Sequence, residues 1–133
     1  MKFYVASFVA ERERTQEVQA ALRARGHEIT VDWTSFPSVP LSERNERPYD
    51  VRAIAVRDLE GIQNADVFIL LAGVADDRAK YAELGAAIMS AVQNKKPRIY
   101  VIGDNPAHSV FFFHPAVKRV NSLDEVLTEI EEI

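Results

Sequence analysis

Cysteine is absent from this chain, and with it disulfides, thiolate metal sites and cysteine nucleophiles. There are only three histidines, His27, His108 and His114, and none stand at a metal-ligand spacing. Neither a metal nor a cofactor is therefore expected. A basic excess is also missing. The net charge of -4 argues against a nucleic-acid surface, which needs clustered Lys and Arg, and against an anionic membrane surface. No apolar run approaches the ~18 residues of a membrane span. The opening stretch turns charged at "ERER", too early for a signal peptide, so a cytoplasmic location is expected. Phosphate-binding glycine motifs are lacking as well: neither GxGxxG nor GxxxxGK[ST] occurs, which excludes a dinucleotide Rossmann site and a P-loop. A phosphoacceptor receiver site would carry acids after the first strand, where this chain reads "VASFVA".

What is present is a 133-residue chain, 47% hydrophobic and 27% charged, which suits one folded domain spanning 1–133. β-Branched and aromatic runs predict strands at 2–7, 28–33, 66–73 and 98–103, with a shorter one at "VKRV". Helical composition falls between them. The first helix follows "ERER", has Val18, Ala21, Leu22 and Arg25 on one side, and stops at Gly26. The second spans 49–65, after a loop with three prolines, and the third ends near Asn94 before "KKP". The last opens on a capping box, Ser122 and Glu125. The 66–73 run is almost wholly apolar, as in a strand covered on both faces. This alternation predicts a flavodoxin-like, doubly wound three-layer α/β sandwich with a four- to five-stranded, mostly parallel sheet. Ligands of such sheets bind outside the carboxyl ends of the strands. The segments after Ser7, Trp33, Gly73 and Gly103 are thus the places for a site.

Two carboxylates stand out there. The second helix's apolar positions Val51, Ile54 and Ala55 continue to Asp58, placing an acid on the side that faces the sheet. A plainer reading is an Asp at the helix edge that reaches water or bonds a nearby Arg. Glu83 lies in the first turns of the third helix, where the dipole favours an anion without any further role. It also flanks the stripe Leu84, Ala87, Ile88, Ala91 and Val92, and its small neighbours Ala82, Gly85 and Ala86 would admit close backbone approach. Asp76 and Asp77 read as turn and cap residues. Tyr4 reads as a core aromatic whose hydroxyl needs a partner.

"FYVAS", "RDLEGIQNADVFIL" and "YAELGAAI" before "NKKPRIYVIG", in that order, resemble the nucleoside 2-deoxyribosyltransferase family, which shares its superfamily with 2′-deoxynucleoside 5′-monophosphate N-hydrolases. The resemblance implies cleavage of an N-glycosidic bond, with the 2-deoxyribosyl group passed to another nucleobase through a glycosyl-glutamate intermediate. It implies Glu83 as nucleophile, Asp58 as the residue that binds the sugar and assists the departing base, Tyr4 as the residue orienting Glu83, and Asp77 as a base contact. Ser7, Phe8, Trp33, Gly73 and Ser109 are further candidate substrate contacts, with Phe36, Phe111 or Phe112 as alternative stacking aromatics and Asn105 as an alternative polar group. The partners implied are small nucleosides and nucleobases, with no nucleic acid and no membrane. A homodimer or higher homo-oligomer with shared sites is implied too, and the aromatic segment 108–115 could cover the site, fill an interface or form a core strand. Two alternatives stay open: an N-hydrolase, which for a monophosphate needs Ser and Arg near the sugar 5′ position (Ser7, Arg12 and Arg14 are in reach of that role), and a non-catalytic, TIR-like nucleotide-binding module.

Overall fold

A computed structural model describes residues 1–73, 78–103 and 109–132. Five strands, β1 (Lys2–Ala6), β2 (Glu28–Ile29), β3 (Val67–Leu71), β4 (Arg98–Ile102) and β5 (Val117–Val120), form one sheet in the order β2-β1-β3-β4-β5. Every pairing is parallel. The flavodoxin-like three-layer reading therefore holds, with all five strands parallel.

The strands explain the layers. Side chains alternate across a sheet, so both faces of β1 and β3 must be apolar if both are covered. Phe3, Val5, Ile69 and Leu71 pack on one face with Leu22 of α1 (Arg12–Ala24) and Val126, Leu127 and Ile130 of α4 (Leu123–Glu131). Tyr4, Ala6, Phe68 and Leu70 pack on the other with Ile62 of α2 (Pro48–Gln63) and Leu84, Ala87 and Ile88 of α3 (Arg78–Asn94).

The helix ends follow the local chemistry. Gly26 takes φ +84 after α1, and the amides of Gly26 and His27 bond the carbonyls of Arg23 and Leu22, closing the helix as a Schellman motif. Ser122 Oγ accepts from the Glu125 amide, as expected, but Glu125 returns its bond to the Asn121 amide rather than to that of Ser122.

Several expectations are corrected. The buried side of α1 is Thr15, Gln19 and Leu22, while Ala21 and Arg25 are exposed. Polar residues thus occupy core-facing places that a hydrophobic pattern does not mark. On α3, Val92 is 59% exposed and leaves the stripe. A Cβ on Gly85 would meet nothing within 4 Å, so no close approach depends on that glycine. The aromatic segment is neither strand nor plain loop: Val110–Phe113 forms a 3₁₀ turn that buries Phe112 and leaves Phe111 and Phe113 outside.

The expected second strand of six residues stops after two. Asp32 accepts from the Thr34 amide and starts a 3₁₀ turn at Trp33–Ser35. The Val5 carbonyl, left without a strand neighbour on that side, accepts instead from Trp33 Nε1 at 2.8 Å. The sheet is therefore short on the β2 side of β1, and a crevice opens there.

Gly61 sets how closely α2 meets that part of the sheet. A Cβ at this position would lie 2.5 Å from Val31 Cγ2 and 3.2 Å from Tyr4 Cδ2. Gly61→Ala is expected to lower unfolding stability by about 1–3 kcal/mol through overpacking, measured as a shift in the urea midpoint at constant slope.

Candidate active site

A cleft of about 370 Å³ opens beside the carboxyl end of β1, within the size range of small-molecule sites. Asp58, from α2, and Glu83, from α3, both line it. Behind them Tyr4 is fully buried and lies parallel to Phe68, with ring centroids 5.9 Å apart. Its hydroxyl donates a short hydrogen bond to Glu83 Oε2. Burial, followed by the charges of Glu83 and Asp58, pushes the Tyr4 phenol far above its ordinary range, so it stays protonated and remains a donor. A core aromatic on β1 therefore points one Glu83 oxygen at a fixed place while the carboxylate edge meets the cleft.

Asp58 is held differently. Arg57, its neighbour on α2, donates from Nε to Asp58 Oδ1 at 3.0 Å, and its Nη2 lies 2.9 Å from the same oxygen as an ion pair. Burial raises the Asp58 pKa, and the bond and charge of Arg57 oppose that rise without cancelling it. The plain reading of Asp58, an acid that bonds a nearby Arg, is thus correct as geometry, yet the pair sits on the cleft. The α2 stripe has a different job from the one expected: Val51, Ile54 and Ala55 line the cleft with Asp58, while only Gly61 and Ile62 of α2 are buried. The first part of α2 overhangs a cavity, and only its end packs on the sheet.

The rest of the lining divides by chemistry. Trp33, Phe36, Val39 and Leu59 supply apolar surface. Ser38, Arg12 and Arg44 supply donors, and Ser7 lines the same cleft with its hydroxyl bonded to the Phe8 carbonyl. With Arg57, three arginines face two carboxylates, so the cleft leans positive in a chain whose net charge is -4. That balance, with the hydroxyls of Ser7 and Ser38, suits an anionic ligand.

Other candidates fall elsewhere. Phe8 precedes the Val9–Glu11 turn and receives the Ser7 hydroxyl and the Glu11 amide on its carbonyl; it does not line the cleft. Gly73 does not line it either: a Cβ there would stand 2.5 Å from Glu11 Oε1, so its bareness makes room for that carboxylate. Arg14 is likewise turned away from the cleft lining, donating to the Ala72 carbonyl at 2.9 Å. Ser109 caps its 3₁₀ turn by accepting from the Phe111 amide and stands off the cleft. Phe111 is exposed and Phe112 is core, and neither lines the cleft. Asp76, Asp77, Asn105 and His108 lie outside the described residues. Among the described residues no cluster of His, Asp and Glu suits a metal, and no helix is long and apolar enough to cross a membrane. Arg44, Ser38 and Arg57 are the polar cleft residues that sequence reasoning passed over. The first two sit in a proline-rich loop without periodicity, and Arg57 reads as an ordinary solvated helix residue.

These features define an α/β domain with a paired-carboxylate cleft at the switch point of a parallel sheet. No protein-family model matches the chain, and no curated protein matches it in sequence. Among solved structures it is similar to a CMP N-glycosidase from Clostridium botulinum, with a TM-score of 0.63 and 17% identity over 98% of this chain and 99% of that one. At that identity the likeness is one of fold, and it runs the full length of both chains.

The raised Asp58 pKa gives a signed expectation. Between the ordinary carboxylate value near 4 and the raised one, the native state binds more protons than the unfolded state. Asp58 therefore favours folding below that window, and the contribution is lost as pH rises through it. Urea unfolding from pH 3 to pH 7 should show the stability of Asp58→Asn gaining on the wild type as pH rises. A constant difference across that range would contradict the assignment.

Proposed function

We propose that the chain cleaves the N-glycosidic bond of a nucleoside 5′-monophosphate, with Glu83 as nucleophile and Asp58 as acid to the departing base. The observation that carries this reading is the sharing of one cleft by the Tyr4-held Glu83, Asp58, and the Ser7, Ser38, Arg12 and Arg44 set. The sequence resemblance taken alone favoured transfer between nucleosides. The hydroxyls and guanidiniums on the cleft move the preference to a phosphorylated substrate and to hydrolysis, and the likeness in fold to a CMP N-glycosidase agrees with it.

In this mechanism the base nitrogen takes a proton from Asp58 as the C1′–N bond breaks, and the oxocarbenium-like C1′ is met by Glu83. The C1′–O bond to Glu83 forms while Tyr4 holds the other carboxylate oxygen. Water then attacks C1′, the ester bond breaks, and the water's proton returns to Asp58. Arg12, beside the start of α1, holds the 5′-phosphate, where the helix N-terminus also favours an anion, and the Ser7 hydroxyl turns from the Phe8 carbonyl to join it. Trp33, pinned by its indole N–H to β1, offers a face for the base.

Transfer to a second base is the runner-up. The apolar lining from Val39, Val51 and Ile54 favours it, because such a surface accepts another base and disfavours water. Exposed Val110, Phe111 and Phe113 beside Ser109 support a homo-oligomer in which that segment meets a partner copy.

The test follows the products of nucleosides and nucleoside monophosphates by chromatography, with and without an acceptor base. Free sugar phosphate regardless of acceptor is expected; exchange only with an acceptor would favour the transferase. Glu83→Gln should lower kcat by about 10³-fold or more and remove any added glycosyl mass on the protein. Absence of turnover on every nucleoside and monophosphate would leave a binding module as the reading. Arg12→Ala should raise KM for the monophosphate by roughly 10- to 100-fold and leave the nucleoside's KM unchanged, in line with loss of one charged hydrogen bond.

A further inference from the structure

Arg57 is tied at two places. Its guanidinium lies 4.3 Å from the centroid of the Phe36 ring, as a cation stacked on an aromatic face. The same group donates one hydrogen bond to Asp58 Oδ1 from Nε and forms an ion pair with that oxygen through Nη2. Phe36, Arg57 and Asp58 all line the cleft, so the stack and the ion pair stand where a ligand enters. Phe36 is 47% exposed, and its ring is an aromatic surface on which a planar base can stack. A base and the guanidinium cannot share one face of that ring.

We propose that Arg57 is a positioning residue for Asp58, seated on Phe36, and that a nucleobase entering the cleft takes its place on that ring and releases Asp58. The inference rests on the proposed function for the identity of the occupant. While Arg57 is in place, Asp58 is an ion-paired carboxylate turned toward its own helix. When Arg57 leaves, the half-buried Asp58 loses its cation and takes up one proton from solvent, which it can then give to the base nitrogen. The acid is thereby armed only when a base is present. The charged and titratable groups on the cleft with Asp58 are Glu83 from α3, Arg12 from α1 and Arg44 from the loop before α2, with Arg57 on its own helix and the buried Tyr4 of β1 behind. Of these, Arg57 is the group bonded to Asp58.

The experiment is a carbon-13 carboxylate NMR titration of Asp58, assigned with Asp58→Asn. It compares wild type, Arg57→Gln, Arg57→Lys and Phe36→Leu, each alone and with free cytosine or adenine as probe at high millimolar concentration. In the empty protein Arg57→Gln should titrate at least about one pH unit above wild type, and Arg57→Lys between the two. A base should move the wild-type titration upward and leave that of Arg57→Gln where it is. Phe36→Leu should lose the response to the base, because the contested ring is gone. Equal titration of Asp58 in wild type and Arg57→Gln overturns the proposal. So does a base that shifts the Phe36 ring resonances without moving Asp58, or one that shifts neither. None of these readouts needs turnover. A protein that hydrolyses nothing but shows the expected titrations loses the proposed function and keeps the Arg57 device.

Discussion

The bond from Tyr4 to Glu83 is the contact on which the site depends. Tyr4 has no exposed surface, and a buried phenol must place its hydroxyl on a partner or lose a hydrogen bond outright. Here the partner is a carboxylate on a different element, sequence-distant by 79 positions. The ring itself is fixed by the β1–β3 pairing and by the parallel contact with Phe68. A rigid strand thus sets where a helix side chain points. Burial keeps the phenol protonated, so the direction of the bond does not reverse.

The cleft exists because one layer is left incomplete. β2 pairs with β1 over only two positions, and Trp33 takes over the next open carbonyl of β1. The chain then runs through the proline-rich segment and re-enters as α2, whose first part has no sheet beneath it. Val51, Ile54 and Ala55 therefore face a cavity, and Asp58 comes to its edge by the helical repeat. Gly61 is the point at which the helix does touch, near Val31 and Tyr4. The same lack of covering that makes room for a ligand leaves Asp58 and Arg57 only half-buried, where their pairing can be exchanged.

Much of the fold was legible because it rests on local repetition. The continuous apolar run before Gly73 announced a doubly covered strand, Gly26 a helix stop and Ser122 a cap, and each is local chemistry between neighbours in the chain. The site was legible in part. Tyr4, Asp58 and Glu83 were nameable from the resemblance and from an apolar stripe ending in an acid, and Trp33 and Ser7 from the strand ends. Arg44 and Ser38 were not, because a loop without periodicity carries no mark of which side faces a ligand. Thr15 and Gln19 escaped for the opposite reason: they are buried, and their polarity hides it. Ser109 looked like a contact by chain position and is turned to its own cap.

By itself the sequence determined the alternation of strands and helices, the two-faced apolar strands and hence the parallel sheet, since these follow from side-chain period and turn chemistry within short windows. It also determined which residue types were available for chemistry, and the lack of cysteine among them. Only the tertiary structure decided that the Tyr4 hydroxyl donates to Glu83 Oε2, that Arg57 is the cation paired with Asp58, and that arginines from three separate segments share one cleft. Those are contacts between elements. They depend on where β2 stops and how closely α2 can approach at Gly61, and that is a matter of packing in space.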